Sequence, residues 1–382
     1  MKLIEYRVSE IMTLARRPVD VAPDGTYHEI GLRSFGNGVF HKPPVSGEEL
    51  GLKRVFHIEP GDLVFSNVFA WEGAVALASE EEAGRIGSHR FMTYRVNTEI
   101  TDRRYLLYYF YGGPGLEVVR DASPGSAGRN RTLGISTFER QRVRLPTVDE
   151  QRRIADKLDS SLGCLSAVES LRTRVLDLQS NLRESLIHHA ISEHTSLARV
   201  SDILTFTRTE VEIKPDELYK AIGMRSFGKG MIRYAPTRGD ELSKLRYFSF
   251  PQNALALSNI KAWEGAISVT SEAEAGYVAS NRFLFYVPID DRANVSYLRH
   301  YFLSRPGLAQ VCAKSPGGAD RNRTLGIRGF EAIGLPLPPR RVQDRVASTL
   351  DRLSARIQAA YEKRSLSALR PALLDAAFSG RL

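Results

Sequence analysis

The chain contains itself twice. Residues Arg7 to Asp159 can be laid on Arg199 to Asp351 at a constant offset of 192, with no gap needed to keep the landmarks aligned. Gly31-Leu-Arg-Ser-Phe-Gly-Asn-Gly38 returns as Gly223-Met-Arg-Ser-Phe-Gly-Lys-Gly230, and Ser66-Asn-Val-Phe-Ala-Trp-Glu-Gly-Ala74 returns as Ser258-Asn-Ile-Lys-Ala-Trp-Glu-Gly-Ala266. Arg129-Asn-Arg-Thr-Leu-Gly-Ile135 returns unchanged as Arg321 to Ile327. A repeat of this length far exceeds a solenoid or propeller unit, so each copy predicts a domain with its own core. Two similar domains on one polypeptide imply two similar binding surfaces.

Within a copy, the apolar clusters at Asp62 to Ser66, Gly73 to Leu77 and Arg90 to Val96 are short and bounded by Gly, Asn and charged residues, which predicts strands. Asp102 to Tyr111 predicts a helix, with a counterpart near Ser296 to Ser304. After Pro146 the period changes. Leu158, Leu162, Leu165, Val168, Leu171, Val175, Leu178, Leu182 and Leu186 recur at steps of three and four, the repeat of a coiled-coil seam. Val346, Leu350, Leu353, Ile357 and Ala360 repeat that spacing, and Leu366, Leu369 and Leu373 continue it after a slip near Arg364. Pro371 predicts either a kink or a restarted helix with Pro in its first turn. The fold class expected is α+β: two tandem mixed domains at 1–146 and 195–338, a long central helix at 147–194 and a C-terminal helix at 339–382, each helix supplying the other with a partner.

Lys and Arg exceed Asp and Glu by 53 to 44, a formal charge of +9, which favours a polyanionic partner, nucleic acid first. Cys164 and Cys312 do not align in the repeat, so no disulfide framework is expected and a reducing compartment fits. The opening residues carry charge where a signal peptide needs an apolar run, and no stretch is long enough to cross a bilayer; a cytoplasmic protein is expected.

Signs of catalysis do not accumulate. Gly223 to Lys229 fits the start of a phosphate-binding loop, but Gly230 replaces the required hydroxyl residue and Asn37 replaces the lysine in the first copy. His188, His189 and His194 cluster without further ligands, so no metal site is expected. The Asn-Pro-Pro-aromatic or Asp-Pro-Pro-aromatic tetrapeptide of amino-methyltransferases is absent, as is a dinucleotide fingerprint.

The duplicated polar residues remain. Arg129, Asn130 and Arg131, with Arg321, Asn322 and Arg323, follow loops rich in small residues. Such guanidiniums either clamp phosphate or read guanine, with Asn suited to adenine, or else brace the loop. Arg33 and Arg225 lie in Gly-flanked turns beside Phe35 and Phe227, and Asn37, Lys229, Asn67, Asn259 and Lys261 belong to the same duplicated stretches. Arg90 and Arg282 alternate with aromatics and are candidates for contact or for structure. Trp71 and Trp263 are expected mainly as core anchors.

Leu145-Pro-Thr-Val-Asp-Glu-Gln-Arg-Arg-Ile-Ala-Asp-Lys-Leu158, opening the long helix, and Ala372-Leu-Leu-Asp-Ala-Ala-Phe-Ser-Gly-Arg-Leu382 give the chain its resemblance. Over essentially its whole length it resembles the specificity subunit of type I restriction-modification systems. The resemblance implies two target-recognition domains held apart by an antiparallel helix pair, reading a bipartite, interrupted DNA site. It implies no catalysis and no cofactor in this chain. S-adenosylmethionine would belong to two methyltransferase subunits, and ATP and Mg to restriction subunits. Glu150, Gln151 and Arg153, with Gln343 and Arg345, would meet those partners. The second copy departs from the motif, with Arg341 and Val342 where Asp149 and Glu150 stand. An autonomous enzyme, or a coiled-coil scaffold or DNA-binding adaptor without a restriction partner, are the other classes. Cofactor binding would mark the first, and salt-insensitive DNA behaviour the scaffold.

Overall fold

Leu63–Ser66 is buried along its whole length, because its two faces serve two cores. Leu63 and Phe65 point into the main core of the first module, while Val64 joins a smaller cluster with Ile30, Ile58 and Ala78. The strand lies inside a four-stranded antiparallel sheet ordered Met12–Leu14, Phe91–Val96, Leu63–Ser66, Val75–Leu77. The helix Arg103–Gly112, capped by the Asp102 carboxylate on the backbone N–H groups of Arg104 and Tyr105, covers one face. Phe65, Phe110 and Phe138 meet there edge-on, with ring centres 5.3 to 5.5 Å apart. Ile4–Arg7 pairs with Arg142–Leu145 to close the module.

These coordinates are a computed structural model, in which residues 2–125, 131–191, 195–317, 323–362, 366 and 368–382 are described. The chain divides into two compact units, Met1–Ser170 with Ser365–Leu382, and Leu171–Arg364. The C-terminal segment therefore belongs with the first module.

The second unit repeats the sheet as Leu204–Phe206, Phe283–Pro288, Leu255–Ser258, Ile267–Val269, in the same register: Phe283 faces Ser258 as Phe91 faces Ser66. The expected second aromatic helix is Val295–Phe302, capped by Asn294. One difference stands out. Leu218–Met224 gathers neighbours into a six-stranded sheet and pairs in parallel with Tyr277–Ser280, where the first unit keeps a single bridge between Glu29 and Ile86.

The central helix runs unbroken over Val148–Ala190. The other arm is Arg340–Glu362, followed by Leu369–Phe378, so Pro371 lies in the first turn of a restarted helix, where its missing N–H costs nothing. In the first unit Leu158, Leu162 and Leu165 are buried, and Leu374 and Ala377 enter the same core. Phe378 meets Tyr105 and Tyr109 at 5.5 and 5.9 Å. In the second unit the Tyr361 hydroxyl donates to Arg172 O at 2.9 Å and the Gln179 amide to Ser354 Oγ at 2.8 Å, which fixes the two helices as antiparallel.

The seam there is not the apolar one expected. Leu171, Val175, Leu178 and Leu182 are 39 to 61% exposed. The packed line runs one residue further round, through Arg172, Gln179 and Arg183, and only Leu186 of the expected stripe packs against the second core. A 3.5-residue spacing defines a stripe but not the neighbour that covers it. Here a second, polar stripe of similar spacing takes the partner helix through hydrogen bonds, leaving the leucines outside.

Candidate nucleic-acid interface

The duplicated motifs are three parts of one structure, built once in each unit. In Arg33-Ser-Phe-Gly36 both Phe35 and Gly36 are left-handed, with φ of 61° and 65°. The Phe35 N–H donates to Glu72 O at 2.9 Å and the Gly36 N–H to Gly73 O at 3.0 Å, and Ser34 Oγ donates to Glu72 Oε2 at 3.0 Å. The turn is thus docked on the short helix of Ala-Trp-Glu-Gly. Gly36 is required: a Cβ would stand 2.5 Å from the Tyr111 ring. The second unit repeats each bond, from Phe227 to Glu264 O and Gly228 to Gly265 O at 2.8 Å and from Ser226 Oγ to Glu264 Oε2 at 2.6 Å. The Ser226 hydrogen bond and the Lys261 ammonium hold the Glu264 carboxyl below the usual carboxylate range.

The third motif joins through the backbone. Leu133 N–H donates to Asn67 O, and Leu325 N–H to Asn259 O, both at 2.8 Å. Arg131 lies 5.3 Å from the Trp71 ring centre and Arg323 5.5 Å from that of Trp263. Each indole N–H donates to a nearby carbonyl, Val68 O at 3.0 Å and Ile260 O at 3.1 Å. The tryptophans are half-buried platforms, not the core anchors expected. Their carbonyl-bonded edge keeps them at the surface, where the other face receives an arginine. Arg129, Asn130, Arg321 and Asn322 lie outside the described residues.

The remaining candidates sort by what their side chains do. Arg33 and Arg225 are exposed, Arg33 lying 4.9 Å over the Phe40 ring. Asn37 donates back to Ser34 O at 2.9 Å, while the Lys229 ammonium stands 5.8 Å over the Phe227 ring. Lys261 pairs with Glu264 at 2.9 Å. Arg90 and Arg282 are exposed, and their carbonyls accept the Asn67 and Asn259 N–H groups at 2.8 Å. Asn67 Oδ1 and Asn259 Oδ1 are buried with no hydrogen-bond partner among the described residues, so their carbonyl oxygens do not face a base. His41 and Arg233, which differ between the copies, do one job: His41 meets Glu82 at 2.7 Å and Arg233 meets Glu274 at 3.1 Å.

At the helix starts, Gln151 and Gln343 are fully buried, contrary to a partner-facing role. Gln151 accepts from Asp102 N–H at 2.9 Å and donates to Pro146 O at 2.9 Å and Ile100 O at 3.2 Å. Gln343 makes the same three bonds to Asn294, Pro338 and Arg292. Each locks its long helix to the start of its aromatic helix, which explains the glutamine at this motif position. Glu150 and Arg153 form a forked pair at 2.8 Å near the surface, and Arg345 is exposed.

No family model matches this sequence, and no curated protein is a significant match. Solved structures do share its form. A chain from a structure described as the basis of complex assembly and conformational transition of the type I R-M system superposes with a TM-score of 0.62 at 16% identity, covering 100% of this chain and 98% of that one. The S subunit of a type I restriction-modification system from M. genitalium gives 0.55 at 14%, covering 99% and 96%. The chain has the fold of a type I specificity subunit. The HsdS subunit from Thermoanaerobacter tengcongensis also matches, at 17% identity and a TM-score of 0.48 over 100% of this chain and 97% of that one.

Proposed function

We propose that the chain is the DNA-recognition subunit of a type I restriction-modification complex, reading a bipartite, interrupted site with one module per half. The observation that carries this reading is the convergence, in each unit, of Arg33 or Arg225, the exposed Phe turn and the Trp–Arg platform on one surface. Guanidiniums on a rigid aromatic support suit phosphate clamping and guanine reading, and a net charge of +9 supplies the long-range attraction. The shared fold with an S subunit from a type I system adds the architecture.

In this reading methylation and cleavage belong to partners: two methyltransferase subunits carrying S-adenosylmethionine and restriction subunits carrying ATP and Mg. The exposed stripe Leu171, Val175, Leu178 and Leu182 offers a helical partner an apolar face, and Glu150, Arg153 and Arg345 add charge near the helix starts. Among the described residues no helix is long and apolar enough to cross a membrane, which suits work on DNA in the cytoplasm. The test is to sequence methylated adenines in cells carrying the chain and its methyltransferase. An interrupted motif that disappears when this chain is deleted is expected; an unchanged methylation pattern would refute the assignment.

A further inference from the structure

Phe35 and Phe227 are 67% and 75% exposed, and both stand in a left-handed conformation at φ 61°. An aromatic ring is normally where burial is largest, and a bulky residue at positive φ is strained. Both costs are incurred twice, at matching positions. Nor is the conformation a relaxed accident. Two backbone hydrogen bonds and the Ser–Glu tether fix each turn, and the core behind it, Tyr111 in one unit and Leu303 in the other, leaves no room for a side chain at the following glycine. The result is a rigid tip carrying an apolar ring. Cations flank it: Arg33 on one tip, and Arg225 and Lys229 on the other.

We propose that Phe35 and Phe227 are wedges, each entering between two adjacent base pairs of its half-site; the inference rests on the DNA-reading function above. An apolar side chain pushed into a base step unstacks it and bends the duplex, and the energy is recovered from ring–base stacking and from phosphates drawn onto nearby cations. A rigid tip suits this because it is not reorganised on insertion. Unstacking a step also lowers the cost of taking a neighbouring adenine out of the helix, which a methyltransferase partner requires.

The experiment uses the full chain with its methyltransferase subunits and duplexes carrying the site found by methylome sequencing, with the fluorescent adenine analogue 2-aminopurine placed at successive positions. A several-fold rise in fluorescence at one step in each half-site is expected on binding. Phe35→Ala should abolish the rise in one half only and Phe227→Ala in the other, each weakening binding roughly ten- to hundredfold, the loss of one base–aromatic stack. Phe35→Gly should bind as weakly as Phe35→Ala yet melt no lower than the parent, since glycine takes this conformation without strain. Binding with no local rise would overturn the wedge while leaving DNA reading intact, the ring then resting on a thymine methyl or the backbone. A sharply lowered melting point in Phe35→Gly with unchanged affinity in Phe35→Ala would make the ring structural. Failure of the unmodified complex to bind the site at all would instead remove the DNA-reading function.

Discussion

The guanidinium of Arg131 lies 5.3 Å from the centre of the Trp71 ring. At a surface, such a pair contributes about 0.5–1 kcal/mol, too little to explain by itself why the pairing recurs as Arg323 on Trp263. What the platform adds is position, and Arg131 Nε also donates to Gly125 O at 3.2 Å, which ties the guanidinium to its own loop. Arg131→Ala with Arg323→Ala should therefore weaken DNA binding by the assembled complex and lower the slope of log K against log salt by up to roughly 1.8, two phosphates' worth. Adding Arg129→Ala and Arg321→Ala should deepen both effects. Salt-dependent anisotropy measures this, and an unchanged slope would reduce these arginines to loop braces.

The exposed stripe on the central helix predicts a separation of folding from assembly. Leu178→Asp with Leu182→Asp changes side chains that are 58% and 39% exposed, so stability should fall only modestly, by about 0.5 kcal/mol at the more exposed Leu178. Co-purification of the methyltransferase subunit should be lost. Retention of that partner at full stoichiometry would place its docking surface elsewhere.

The second unit carries a pH-sensitive joint absent from the first. His300 is buried and its Nε2 lies 2.9 Å from Asp351 Oδ1; the first unit has Tyr108 donating to Asp159 instead. Burial pushes the His300 imidazole below its ordinary 6.5, and the neighbouring Arg299 and Arg183 add to this against the pull of Asp351. Burial would raise the Asp351 carboxyl, but hydrogen bonds from His300 and Ser296 and the charge of Arg299 bring it below 3.8. For the histidine the unfolded chain binds the proton more readily. Its contribution is therefore fully present above about pH 6.5 and is lost as pH falls toward the lower folded value. The aspartate's contribution is lost only at pH below 3.8. Calorimetry between pH 7.5 and 5 should show the second unit losing stability first, and His300→Tyr should flatten that limb; identical slopes in parent and variant would exclude the histidine as the cause.

Much of this was legible in the sequence because repetition did the work of comparison. The strands and both aromatic helices follow from patterns that recur in register, while Pro371, which has no counterpart in the first copy, left a kink and a restart equally open. What was not legible shares one cause: spacing says which residues line up, not what faces them. The leucine stripe was read as the seam, while the partner helix took the polar line through Arg172 and Gln179. Gln151 and Gln343 are partner-facing in what the resemblance implies, yet each satisfies three backbone groups inside its module. The tryptophans looked like core because they are large. The left-handed pose of Phe35 and Phe227 had only a weak signal, the glycines on either side of an otherwise ordinary turn.

If each module reads one half-site, their shared residues should read shared bases, giving an interrupted near-palindrome, and the differences should fall where the copies diverge at the surface. Three exposed pairs beside the shared motifs qualify, one of them His89 against Asn281. Asn37 and Lys229 sit at the same point of the exposed turn, and Phe69 and Lys261 lie beside the platform, Lys261 being partly held by Glu264. His41 and Arg233 drop out, since both are turned onto an equivalent carboxylate. Lysine is a point donor that suits guanine O6 and N7 or a phosphate, whereas the Asn37 amide is already bonded to Ser34 O. Asn37→Lys should therefore shift preference in the first half-site toward the base read by the second module, by about 1–3 kcal/mol at one base pair, and leave the other half unchanged. Methylome sequencing of the variant decides it: a motif made more symmetric at one position is the expected result. Two unrelated half-sites in the parent, unmoved by the exchange, would mean that the repeat preserves scaffold alone and that the bases are read by other residues.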